Sequence, residues 1–250
     1  MAYSEILTLS SIGLFVGSLV GLLSIGGGLI LVPLLHVLYP SIEMQDIVII
    51  SLHQILLSSF VTFMTHSGKQ PSLFKDYKWL SIHFICLIVA GFLLHFIQAI
   101  WISILFIIFV SLSILVRICI HFKITVNQLK HHKLVITTLC ASYGSIIGLG
   151  GSLLLYPLLR LSNETYTKAL KQCALSSFTV GLLGVITQDL IYLLNINHYF
   201  PWKIMLIIAI TSSVFARLMS LYTYKLDQSI IDNLSFVVSI VVLISYCCYL

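Results

Sequence analysis

The sequence predicts an all-α membrane protein: a polytopic bundle of two inverted repeats whose chains are broken by glycine-rich re-entrant hairpins. Three observations predict it. The 250 residues are 59% hydrophobic and only 8% charged, with mean hydropathy +1.09, whereas soluble domains are about half apolar and about a quarter charged. Apolar runs near the ~20 residues that cross a bilayer recur along the whole length. A glycine cluster set in apolar sequence occurs twice: Ser24-Ile25-Gly26-Gly27-Gly28-Leu29-Ile30-Leu31-Val32-Pro33-Leu34-Leu35 returns as Gly148-Leu149-Gly150-Gly151-Ser152-Leu153-Leu154-Leu155-Tyr156-Pro157-Leu158-Leu159. Seven of the fourteen positions from 22 to 35 are identical to those from 146 to 159, too many for two unrelated apolar stretches, so the chain reads as an internal duplication.

The first run, near 6–23, lacks a basic n-region and a small-residue cleavage site, so it reads as a retained segment and not a signal peptide. Gly13, Gly17 and Gly21 form a small-residue ladder on it, which suits close helix packing. The pieces 29–39 and 153–160 cannot cross: about ten residues at ~1.5 Å each cover about half the hydrocarbon. Each therefore reads as the return limb of a hairpin, with Pro33 and Pro157 near the first turn or at a kink. Longer runs near 47–65, 79–97, 99–116, 134–149, 173–187, 204–216 and 233–250 supply the spans. Trp79, Trp101, Trp202, Tyr77 and Tyr199 fall near segment ends, where amphipathic rings anchor at the interface.

If both hairpins return to their side of origin, the connections around 66–78, 117–133, 160–171 and 217–229 share one face. Twelve of the thirteen Lys and Arg then lie there, with Lys203 alone outside, which is the bias that sets cytoplasmic loops. The span after the first hairpin would run inward and its counterpart outward. The division expected is 1–120 for the first repeat, 121–133 for a basic cytoplasmic linker carrying His121, Lys123, Lys130, His131, His132 and Lys133, and 134–250 for the second repeat. Both termini would lie outside.

Several function classes fail on composition. The formal charge of +5 is scattered through connections and forms no basic stripe with aromatics, so nucleic acid is not an expected partner. Cys86, Cys119, Cys140, Cys173, Cys247 and Cys248 show no C-x-x-C spacing, so no disulfide framework or zinc site is indicated. There is no P-loop, no G-x-S-x-G and no H-E-x-x-H, and no cofactor or metal is expected. His83 and His95 share one span, with His36 and His53 on others, but no pair has the i,i+4 spacing that converges on one ion.

The candidate substrate residues begin with Gly26, Gly27, Gly28, Gly150, Gly151 and Ser152. Glycines let the backbone turn tightly, and the helix that follows presents unpaired N–H groups and a partial positive end to an anion. Close helix packing is the competing reading. Ser51, Gln54, Ser58, Thr62 and Thr65 recur every three or four residues, hence on one face, and Lys168, Gln172, Ser176 and Thr179 repeat the spacing. Such stripes either line a path or tie helices together. His53 lies on the opposite face and ranks below Ser51 and Gln54. Lys171 suits an anionic substrate if deep, or snorkels to the interface if near a helix end. No Asp or Glu lies mid-span, so anion selectivity is favoured over a carboxylate relay.

These residues resemble the TauE/SafE family of membrane transporters, the sulfite exporters. The likeness lies in the paired pattern of an apolar helix, a small-residue ladder, I/L-G-G-G, an apolar stretch and P-L-L, followed by a polar-punctuated span. It covers nearly the whole chain, the Gly91 region included. The resemblance implies a transporter of small anions, typically sulfite, thiosulfate, sulfonates or related organic acids, through a site built from both repeats. On motif matches it assigns Gly26, Gly27, Gly28, Pro33, Gly150, Gly151 and Pro157, and Ser51 at the family's small hydroxyl position. Ser152 replaces the last glycine of the second cluster, and Gln172-Cys173 stand where the family more often has a Thr-Ser pair, so these residues of the second half are candidates for substrate preference. The partners expected are a small anionic substrate and the lipid bilayer, with a homo-oligomer possible in principle, and the location is a cell membrane, foremost the bacterial inner membrane. The alternatives are a non-transporting membrane enzyme or assembly subunit, and a histidine-based metal carrier.

Overall fold

In the computed structural model, which describes residues 3–23, 26–66, 77–122, 124, 126–194 and 200–249, the described chain is helical with no strand. Ten α-helices follow in order: α1 (Tyr3–Leu23), α2 (Gly28–Leu38), α3 (Met44–His66), α4 (Tyr77–Leu94), α5 (Ala99–His121), α6 (Lys133–Ile147), α7 (Ser152–Leu161), α8 (Tyr166–Leu194), α9 (Trp202–Ser220) and α10 (Gln228–Tyr249). The expectations for Ser24, Ile25, Lys69, Lys75, Lys123 and Tyr199, and for the side chains of Tyr77, Lys78, Trp79 and Lys130, lie outside the described residues.

Among the described residues six helices are long and apolar enough to cross a bilayer: α1, α3, α5, α8, α9 and α10. The run at 134–149 forms α6, of 15 residues, about 22 Å at ~1.5 Å each. Its end is set by Gly148, whose φ of 72° places it in the left-handed region that glycine enters freely, with its N–H returned to the Gly144 carbonyl. The short pieces are as expected: α2 has 11 residues and α7 has 10.

Pro33 and Pro157 are each the sixth residue of their helix, not in its first turn, and both helices run through them. A proline there removes the hydrogen bond to the carbonyl four residues back. For Pro157 that carbonyl belongs to Leu153, and the Ser113 hydroxyl of α5 donates to it at 2.9 Å.

Helices α3 and α8 pack together at the centre, with 67% and 72% of their apolar stretch buried against 22% for α10. The principal packing pairs map onto each other when α1–α5 exchange with α6–α10. Helix α1 lies on α9 as α6 lies on α4, α3 on α9 as α8 on α4, and α2 meets α10 as α7 meets α5. The glycine ladder of α1 builds one of these contacts: a Cβ at Gly17 would collide with the Ser212 backbone of α9, and one at Gly21 with the Ala216 carbonyl. The outer faces carry exposed Leu14, Phe15, Ile108, Leu112, Ile210 and Val214, the arrangement for a chain solvated by lipid and not by water.

Several basic residues assigned to connections belong to helices. Arg117 lies inside α5, Arg160 in α7, Lys168 and Lys171 in α8, and Arg217 in α9. Apolar periodicity fades toward a helix end while backbone hydrogen bonding continues, so the helices overrun the hydrophobic signal.

Candidate functional site

The two glycine clusters meet. A Cβ at Gly28 would overlap the Gly148 carbonyl oxygen, and one at Gly26 the Leu149 carbonyl oxygen, so backbone lies directly on backbone between residues 26–28 and 148–150. The Gly26 N–H donates to the Ser152 hydroxyl at 2.7 Å, a buried bond joining the halves. From α3, the Ser51 hydroxyl donates to the Gly148 carbonyl at 2.7 Å. From α8, the Ser177 hydroxyl reaches the Gly150 carbonyl at 3.2 Å, and the Cys173 thiol lies 3.9 Å from the Ser152 carbonyl. Carbonyls of the second cluster are thus held from the two central helices and the Gly26 N–H by Ser152, as buried backbone requires.

The clusters read alike but are built differently. Gly148, Gly150 and Gly151 have φ of 72°, 72° and 75°, so the second cluster needs glycine for its backbone conformation. Gly27 sits in the ordinary helical region at φ −60°, and the first cluster needs glycine for space. A side chain at Gly27 would strike the Gln54 amide and Val16. Beside Gly26 and Gly27 a small crevice walled by Val16, Leu19, Val20 and Leu23 of α1 and by Leu29 and Ile30 of α2 measures about 10 Å³, about one water.

Ser51 and Gln54 share the face pointed at the clusters, both fully buried. The Gln54 amide nitrogen donates to Ser58 at 3.0 Å, while its carbonyl oxygen is buried without a partner. The rest of that stripe is local: Ser58, Thr62 and Thr65 return their hydroxyls to carbonyls of their own helix at 2.8–2.9 Å. In α8, the Gln172 amide nitrogen and the Ser176 hydroxyl are also buried without partners. Buried polar atoms are nearly always paired, so three unpaired ones on the central helices call for a further partner.

Other expected residues lie apart. Pro33 and Pro157 sit mid-helix. Lys171 is half-buried in the second turn of α8, a place that suits a side chain reaching toward the interface. His53 is buried, its Nδ1 against the Ile49 carbonyl at 2.9 Å and its Nε2 3.4 Å from Asp189. The sequence singled out His83 and His95 only as metal candidates, and the structure makes them links between helices. His83 reaches Thr138 of α6 at 3.2 Å and Thr179 of α8 at 3.0 Å; His95 meets Gln188 at 2.6 Å, whose amide donates to the Gly91 carbonyl at 2.8 Å. Ser177 was missed, and its only sequence signal is adjacency to the α8 stripe.

The family model described as Sulfite exporter TauE/SafE matches residues 9–246. No curated protein and no solved structure matches the chain significantly. The match runs from the first helix through the last, with both glycine clusters and both central helices inside it. Ten helices, six of them long and apolar enough to span, with duplicated packing around two touching glycine clusters, are therefore the architecture of a multi-pass membrane protein that belongs to the TauE/SafE family of sulfite exporter-type transporters.

Proposed function

We propose that this chain carries a small anion, of the sulfite, thiosulfate, sulfonate or organic-acid class, through a site where the two glycine clusters meet. The observation that carries the reading is the junction itself: two half-length helices, α2 and α7, begin at clusters that touch between α3 and α8. The first-turn N–H groups of a helix have no intrahelical acceptor and lie at its positive end. Two such ends facing one point favour an anion, and the unpaired Gln54, Gln172 and Ser176 groups add neutral polar contacts.

Backbone lies directly on backbone between the two clusters, so substrate enters only when the two hairpins part. The packing supports such a division, with α1 on α9, α6 on α4 and α3 on α8, if the first two pairs move while the third holds. The two halves are inverted with respect to each other, as the collection of twelve basic residues on one face supports.

Sulfite flux into proteoliposomes tests this. Gly27→Leu forces a side chain onto Gln54 and Val16, and Gly151→Leu places one at a left-handed φ against the Cys140 carbonyl. Each is expected to cut flux more than about tenfold while membrane insertion persists. Gln54→Leu, which removes the amide without adding bulk, raises the sulfite concentration for half-maximal flux. Unchanged flux in all three sinks the assignment.

A further inference from the structure

A second cavity, of about 410 Å³, lies between the last turns of α5, the body of α7 and the first turns of α10. No glycine of either cluster lines it. Its charged lining is Arg117, Arg160, His121 and Asp232, with Tyr156 and Asn233 between them.

Arg117 is 8% exposed. One of its terminal nitrogens donates to the Ser235 hydroxyl, and its guanidinium carbon stands 5.8 Å from the centre of the Tyr156 ring. Its Nε and Nη2 are buried with no acceptor. Arg160 donates through Nη1 to the Glu164 carbonyl at 2.8 Å, and its Nε is likewise buried and unpaired. Both arginines line the cavity, and three of their guanidinium nitrogens are buried without acceptors. A buried cationic N–H without an acceptor is among the costlier arrangements in a protein.

The nearby acids do not answer these donors. Asp232 accepts from the Tyr156 hydroxyl at 2.5 Å and from the Gln228 amide at 3.3 Å. Glu164 is engaged by Lys133 at 2.9 Å. Two arginines against one carboxylate in the lining leave the cavity with one net positive charge while His121 is neutral. Guanidinium groups match oxyanions through their planar fork of donors, and the volume falls in the range of about 300–1,000 Å³ for small-molecule sites. Ile118, Ile120 and Phe236 make the remaining wall apolar.

We propose that this cavity is a second anion site, separate from the glycine junction, that takes a tetrahedral oxyanion between Arg117 and Arg160. The oxyanion is either a free phosphate-like ion or the phosphate of an anionic lipid whose chains lie along the apolar wall.

Two probes separate these sources on the purified full-length protein. Inorganic phosphate is titrated by thermal shift in lipid-free detergent, and retention of phosphatidylglycerol against phosphatidylcholine is read by native mass spectrometry. Binding of either probe is expected, weakened about tenfold by Arg160→Gln and by Asn233→Glu, which adds a negative charge to the lining without removing a buried group. Phosphate binding points to a free ion; selective phosphatidylglycerol retention with no phosphate response points to the lipid. Failure of both probes, or binding unaltered in both variants, overturns the site. Sulfite flux is measured in parallel on the wild-type protein: its absence with phosphate or lipid binding retained would count against the transport reading and leave this one standing.

Discussion

Ser152 stands where the first half has Gly28, and its hydroxyl accepts the Gly26 N–H across the two halves. Ser152→Ala leaves that buried donor without an acceptor, a cost of about 1–3 kcal/mol, expected as a lowered melting temperature of the purified protein. An unchanged midpoint would mean the bond contributes nothing. Other residues were legible only in part. Ser51 and Gln54 share a spacing with Ser58, Thr62 and Thr65, but the last three bond to carbonyls of their own helix. That local bond needs no distant partner, so one periodicity serves both uses and only tertiary contact separates them. Arg117 shows the same limit. Its basic character was plain, but its hydrogen-bond partner, Ser235, lies 118 residues away.

At the scale of the element, the short helices were visible as pieces too brief to cross, and the packing role of the α1 ladder followed from its four-residue spacing. The differing conformations of the clusters were not visible, because glycine satisfies a positive φ and a close approach equally well and both are written with the same letter. The α7 proline yields a test of how an element is repaired from outside. Ser113→Ala removes the donor that takes the Leu153 carbonyl, costing about 1 kcal/mol. In a Pro157→Ala background the restored N–H of residue 157 supplies a helical donor, so the same Ser113→Ala change costs close to nothing. A double-mutant cycle of denaturation free energies reads this coupling, and strict additivity would refute it.

For the whole molecule, the duplication read from two sequence stretches reappears as packing pairs that interchange between halves. The relative orientation of the halves rests on charge: the basic residues gather on one face only if both hairpins turn back. Cysteine-accessibility labelling in a cysteine-free background is expected to find both termini outside and the 121–133 linker inside. A cytoplasmic C-terminus would refute the inverted arrangement. The cavity lined by Glu5, Glu43, Asp46 and Lys203 belongs to the face assigned outside, and the one lined by Arg117 and Arg160 to the basic face.

The bond between Gly26 and Ser152 also has an evolutionary consequence. An ancestor assembled from two copies of the first half would have glycine at both positions, leaving the Gly26 N–H without its acceptor. One assembled from two copies of the second half would carry serine at 28, where the Gly148 carbonyl leaves no room for a side chain. The two halves thus meet unequally at this pair, glycine on one side for room and serine on the other as acceptor.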